Sequence, residues 1–195
     1  MADGFQTLPT PKANTVKRRS FSVAELDAMF DADILSRDER IELIDGDIIQ
    51  MNSQMMPHAV LKLRLAIAIS KLIGLQFDVQ SELTVQLNEQ TLVDPDVAIT
   101  PRLKIERRYL TANELLLAIE VSDTSLYYDL GEKAALYSRA GINEFWVVDI
   151  NGAQTWVHRD PSKNGYKSVD KIAFDKPVKA AAISHVEVTI SVLVT

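Results

Sequence analysis

Two kinds of pattern alternate along the chain. Residues 115–121 (LLLAIEV) and 145–148 (FWVV) are apolar runs of strand length. The first is interrupted only by Glu120, which predicts a central strand covered on both faces. Residues 92–100 predict another strand, which carries Asp96. Residues 77–79 and 83–87 are partly alternating and predict further strand. Asp45-Gly46, between the largely apolar segments 41–44 and 48–51, predicts a tight hairpin. Asn151-Gly152 does the same between strands at 144–150 and 155–158. One or two more strands are expected beyond Tyr166, where residues 186–190 alternate.

Helical spacing appears three times. Ser22 with Glu25 three residues later has capping-box spacing, ahead of a helix over 23–30 that buries Leu26 and Phe30. Leu61, Leu65, Ala68 and Leu72 line one face of a helix running from His58 to about residue 73, closed by Gly74. Asp129, with Glu132 three residues on, is predicted to cap a helix whose inner face is Leu130, Ala134 and Tyr137 and which ends at Gly141. There is no internal repeat and no linker. The expectation is one mixed α/β domain over residues 21–195, preceded by a flexible arm over 1–20 that holds two prolines and Lys17-Arg18-Arg19.

Composition narrows the function. With 195 residues, 47% hydrophobic and 25% charged, the chain has the makeup of a globular protein with a sizeable core. It has no cysteine, so thiolate metal sites are excluded and any metal must be held by oxygen or imidazole. A net charge of -6 argues against coating nucleic acid through bulk charge, yet it is compatible with local basic contacts. No apolar run approaches the roughly 20 residues of a membrane span. No apolar stretch follows the early basic residues as a secretory signal requires, so the expected location is cytoplasmic. Arg102, Lys104, Arg107 and Arg108 share one short loop, either as a solvated charged segment or as phosphate contacts.

The chemistry gathers where acids meet the apolar strands. An ionised carboxylate inside the run at 115–121 is costly unless something pairs with it. Asp96 closes the Asp94-Pro95-Asp96 turn and leads directly into apolar residues. If these two strands are neighbours, about 5 Å apart, both carboxylates can share one hard cation such as Mg²⁺, with ligand distances of about 2.1 Å. The Val121 backbone carbonyl supplies a third ligand in such an arrangement. Lys133, early in the following helix, is placed to orient a metal-bound water or to stabilise developing charge. A structural role competes for each residue: Asp96 as a turn cap, Glu120 as the partner of a local cation, Lys133 as a solvated helix lysine. The combination in this order favours a metal site. Taken alone, Glu42 reads as a solvent-facing strand residue and His58 as a helix-start or surface residue.

These pieces also carry a resemblance. Ile41-Glu42-Leu43-Ile44-Asp45-Gly46, Pro95-Asp96-Val97, Ile119-Glu120-Val121-Ser122-Asp123-Thr124-Ser125-Leu126 and Tyr128-Asp129 with Lys133 occur in that order, followed by residues 136–149 (LYSRAGINEFWVVD). Over about residues 21–160 the chain resembles the Uma-type restriction-endonuclease family, a branch of the PD-(D/E)XK nuclease superfamily. The resemblance implies a restriction-endonuclease-like fold, a central mixed β-sheet flanked by helices with an N-terminal helix and β-hairpin. It implies Mg²⁺-dependent cleavage of DNA, with Mn²⁺ as the alternative ion and a homodimer as one assembly. Asp96 and Glu120 would bind metal, and Lys133 would serve the attacking water. Glu42 matches the family's early glutamate and would help hold a metal, while His58 falls where many members carry a histidine. Where the parent superfamily has a lysine two residues after the acid, this chain has Ser122, so Lys133 would be the migrated lysine. Two alternatives stay open: a non-catalytic module that keeps the fold and binds nucleic acid or protein, and a hydrolase of smaller phosphodiesters.

Overall fold

The computed structural model describes residues 18–194. Residues 1–17 of the expected arm thus lie outside the described residues. Arg18, Arg19 and Ser20 are exposed, and Arg19 pairs with Glu25 at 2.6 Å. The capping box forms at α1 (Val23–Asp31): the Ser22 hydroxyl accepts from the Glu25 N–H at 3.2 Å, and the Glu25 carboxylate accepts from the Ser22 N–H at 2.9 Å. Val23 and Leu26 are the buried residues of this helix and pack with Leu43 and Leu92; Phe30 is only partly buried against that cluster.

Strands β1 (Ile41–Ile44) and β2 (Asp47–Gln50) make the expected hairpin. Both central turn residues are left-handed, Asp45 at φ 48° and Gly46 at φ 89°, which matches the right-handed twist of the flanking strands. Helix α2 (Met56–Leu72) follows, then β3 (Phe77–Gln80), β4 (Val85–Asn88), β5 (Thr91–Val93), β6 (Val97–Pro101), β7 (Leu110–Thr111) and β8 (Leu117–Ser122). Next comes a helical run, α over α3 (Leu126–Tyr128), π over Asp129–Lys133 and α again over α4 (Ala134–Arg139). The chain ends with β9 (Glu144–Asp149), β10 (Gln154–Arg159), β11 (Ser168–Ala173), β12 (Pro177–Lys179) and β13 (Glu187–Thr189), which is three strands beyond Tyr166 where one or two were expected.

Six strands form the main sheet in the order β11-β10-β9-β8-β6-β3. Its β8 and β9 are parallel, and the other neighbours are antiparallel. Parallel neighbours need a crossover, and the α3–α4 run supplies it. All six positions of β8 and all six of β9 are buried, as apolar runs between neighbouring strands require. On one face, Val97, Ile99, Leu117, Ile119, Val121, Trp146 and Val148 pack with Leu61, Leu65 and Ile69 of α2. On the other, Ala98, Ala118, Phe145 and Val147 pack with Ala134, Leu136 and Tyr137 of α4. A second sheet has the order β2-β1-β5-β4-β7.

Residues 92–100 do not form the single strand expected of them. Thr91–Val93 pairs in the second sheet and Val97–Pro101 in the main sheet, and Asp94-Pro95-Asp96 is the crossing between them. Pro95 has no N–H to give a ladder, so pairing stops there and the chain changes sheets. This crossing brings the second sheet to the end of β8.

The hairpin turn yields a stability prediction. A Cβ on Gly46 would sit 2.5 Å from the Ser20 Cβ and 3.0 Å from the Phe21 backbone, on a backbone already at φ +89°. Gly46→Ala should therefore lower stability by more than about 1 kcal/mol in urea unfolding, without changing the secondary structure measured by circular dichroism.

Candidate active site

The site is built around a buried lysine. Lys133, 3% exposed, occupies the last position of the π-helical stretch. Its Nζ donates to Glu42 Oε1 and to Glu120 Oε1, both at 2.9 Å. Glu42 is 2% exposed on β1, and Glu120 is 4% exposed on β8. One ammonium group thus joins a strand of the second sheet, a strand of the main sheet and the crossover helix. The π stretch puts an extra residue into the helical turn, a device common at functional sites. The Tyr137 hydroxyl also donates to Glu120 Oε1 at 3.0 Å, and the Asp94 N–H donates to Glu42 Oε1 at 3.0 Å.

Asp96 stands opposite Glu120. The register pairs Val97 with Ile119, so Asp96 and Glu120 come next on the two strands and share a face. Asp96 Oδ2 accepts from the Val121 N–H at 2.8 Å and lies 2.9 Å from His58 Nε2. Its Oδ1 accepts from Gln54 Nε2 at 3.2 Å. A cavity of about 130 Å³, room for several waters, is lined by Glu42, Asp94, Asp96, Glu120, Val121 and Lys133, with His58, Asp123, Asp129 and Arg40 around them.

All four expected site residues are brought together here, and Val121 lies beside them. Several of the competing structural roles do not hold, and one expected helix cap is displaced. Glu42 is not a solvent-facing strand residue, because its side chain points from β1 onto Lys133. Lys133 is not a solvated helix lysine, since it is enclosed between two carboxylates. Asp96 holds a neighbouring strand's N–H rather than capping its own turn. His58 is an Asp96 partner rather than a surface residue, and its Nδ1 is buried without a partner. Asp129 does not cap the helix: the helix starts a turn earlier at Leu126, and Asp129 instead accepts from the hydroxyls of Ser122 and Ser125. The basic loop leaves the end of β6 remote from Asp96. Arg108 is committed to Glu114 at 2.6 Å, Arg102 to the Leu75 carbonyl at 3.3 Å, and Lys104 lies 4.0 Å from Glu106.

The cavity lining gathers more acids than cations. Burial pushes the Glu120 carboxyl well up despite the pull of Lys133, and the charges of Asp96, Asp129 and Glu42 add to the rise. Burial also raises Asp94, with Glu42 contributing, and it raises Asp129 against the hydrogen bonds of its two serines. For Lys133, burial acts downward but the charges of Glu120 and Glu42 win, so the amine is held firmly protonated. One ammonium faces two carboxylates, and Glu42 Oε2 is buried with no partner. Such a donor set fits a hard cation: carboxylate oxygens on one face of adjacent strands, surplus negative charge and an unsatisfied oxygen. Among the described residues, no three acid or histidine side chains form a ready-made metal cage. A cation here would therefore be held by Asp96, Glu120 and a backbone carbonyl, with water completing its shell.

Sequence reasoning missed Gln54, Lys62 and Tyr137. Lys62 carried a usable signal, because it lies one helical turn after His58 and so shares its face of α2. Gln54 in a loop and Tyr137 among core positions carried none.

The family model Uma2, described as "Putative restriction endonuclease", matches residues 24–191. The crystal structure of a protein from Anabaena variabilis ATCC 29413, titled "a putative nuclease belonging to DUF820", superimposes with a TM-score of 0.68 at 16% identity. The match covers 84% of this chain and 94% of that one, and at such identity it speaks for the fold. No curated protein matches the chain.

Removing the lysine should expose what it holds together. Lys133→Met leaves two buried carboxylates without their common partner, and chemical denaturation should show a loss of about 3–5 kcal/mol. Adding Glu42→Gln to that variant should recover part of the loss.

Proposed function

Because the chain belongs to the Uma2 restriction-endonuclease family, we propose that it is a Mg²⁺-dependent endonuclease that hydrolyses DNA phosphodiester bonds. The observation that carries the proposal is the surplus of buried carboxylate around Lys133, on two sheets that meet at one cavity. Asp96 and Glu120 would hold the ion with the Val121 carbonyl, and Mn²⁺ would serve in place of Mg²⁺. The bound ion would supply an acidified water and neutralise charge building at phosphorus.

The chain's own residues then have defined tasks. Lys133 stays protonated and is fixed by two hydrogen bonds of 2.9 Å, so its charge is in place before substrate arrives. It would orient the attacking water and stabilise the transition state. Glu42 fixes Lys133 from the side of the second sheet, and its free Oε2 is available to a cation or to a water of its shell. Tyr137 holds Glu120 in one orientation, and burial together with the Glu120 charge keeps its phenol protonated as a donor. Arg40, exposed on the cavity wall and donating to the Asn52 carbonyl at 2.8 Å, is placed to contact a backbone phosphate. A protein with a net charge of -6 must bind DNA through such local contacts.

A cleavage assay on supercoiled and linear duplex DNA tests the proposal. Wild type should nick or cut only with Mg²⁺ or Mn²⁺, and chelation should abolish the activity. Glu120→Gln should lower the rate roughly 100-fold or more while keeping the fold, because the amide copies the shape of the carboxyl. Asp96→Asn should behave alike. Wild-type activity in either variant would contradict the assignment. Duplex binding without cleavage under any divalent ion would favour the non-catalytic module.

A further inference from the structure

On the outer side of Asp96 runs a chain of polar contacts that the proposed chemistry does not use. Lys62 lies on α2, only 6% exposed. Its Nζ donates to Glu82 Oε1 at 2.6 Å and to Gln54 Oε1 at 2.7 Å. Gln54 then donates its Nε2 to Asp96 Oδ1 at 3.2 Å. The same turn that carries Glu82 also carries Ser81, whose hydroxyl donates to the Asp96 carbonyl at 3.0 Å. Two arms therefore meet on one residue: one grips the Asp96 backbone, the other reaches its carboxylate through Lys62 and Gln54.

The energetics make this arrangement hard to dismiss as surface decoration. A buried ammonium needs partners, and Lys62 has one carboxylate and one amide oxygen. Glu82 has a side chain 66% exposed, and it reaches Lys62 from a left-handed backbone at φ 58°, a conformation disfavoured for glutamate. The hydrogen bond from Lys62 pulls the Glu82 carboxyl below its ordinary value. Gln54 is an amide with two possible orientations. Lys62 can only donate, so it selects the one with the oxygen towards α2 and the N–H₂ towards Asp96. Reversal of that amide would set its oxygen against the Asp96 carboxylate.

We propose that Lys62, acting through Gln54, is a positioning residue that fixes the Asp96 carboxylate for divalent-cation binding. This rests on the metal-dependent reading of the site given above. Asp96 Oδ2 is held from the other side by the Val121 N–H and His58, and the Gln54 contact holds Oδ1, so donors at both oxygens together fix the plane of the carboxylate. Outer partners of this kind typically govern metal affinity by about 10- to 100-fold.

The test is Mn²⁺ titration by calorimetry on wild type, Lys62→Met, Gln54→Leu and the double variant, with the cleavage rate measured on the same four. Both single variants should bind Mn²⁺ about 10-fold or more weakly. The double variant should be no weaker than the weaker single, because both act through one contact on Asp96. Gln54 lies in a loop outside the core and Lys62 keeps Glu82 in Gln54→Leu, so that variant should keep the wild-type fold by circular dichroism and separates positioning from folding. Lys62→Arg, which restores a donor, should recover part of the affinity. Wild-type Mn²⁺ affinity in Gln54→Leu, or losses that multiply in the double variant, would overturn the positioning role while leaving the metal site standing. No Mn²⁺ binding by wild type would remove the metal reading and the positioning role with it.

Discussion

The contact on which the rest depends is the Lys133 ammonium shared by Glu42 and Glu120. Breaking such a buried arrangement by removing one member costs far more than forming it contributes, since a stranded charge cannot return to water. It therefore constrains the fold strongly. The hairpin of the second sheet, the central strand of the main sheet and the crossover helix must meet at one point, or three charges are buried alone. The capping box on α1, the left-handed Asp45-Gly46 turn and the break at Pro95 all serve that meeting. The first two seat β1, which carries Glu42. The third lets one segment give Asp94 to Glu42 and Asp96 to the end of β8.

A site held this way is unbalanced. The lysine compensates one carboxylate of two, and Asp96, Asp94 and Asp129 stand around the same cavity. An apolar protein interior would not tolerate that surplus without a purpose or a counter-ion. The rise of Glu120 through burial and like charge expresses the same imbalance. The structure meets part of it with donors: Tyr137 on Glu120, the Val121 N–H, His58 and Gln54 on Asp96, and two serine hydroxyls on Asp129. The phenol, amide and hydroxyl donors among them orient the acids without cancelling their charge, which suits a cation-binding site.

Much of this was legible in the sequence because burial shows in composition. Glu120 stood out as the one charge in a continuous apolar run, and the hairpin and capping box carry short-range signals whose physics is local. One mixed α/β domain followed from the order of the segments, the central mixed sheet flanked by helices was implied by the family resemblance, and the match over residues 24–191 now shows that family. What could not be read was long-range. Glu42 was named through the family resemblance, but it is 91 residues from Lys133, and nothing on β1 itself tells an outward glutamate from one aimed at a distant lysine. Gln54 is an ordinary polar residue until folding sets it beside Asp96, and Lys62 shows only the helix face it shares with His58. Residues 92–100 read as one strand because both halves are apolar, and only the pairing partners reveal that they belong to different sheets. Asp129 has the spacing of a cap, but the helix begins at Leu126 and turns that residue inward.

The most direct measurement is an anomalous difference map from crystals soaked in Mn²⁺. A peak is expected in the cavity between the carboxylates of Asp96 and Glu120, within ligand distance of the Val121 carbonyl, with Lys133 still bonded to Glu120. A map with no peak in that cavity at saturating Mn²⁺, or with peaks only at exposed carboxylates elsewhere, would contradict it. Lys133 would then be a structural bridge, and the surplus charge would be met by protons rather than by a metal ion.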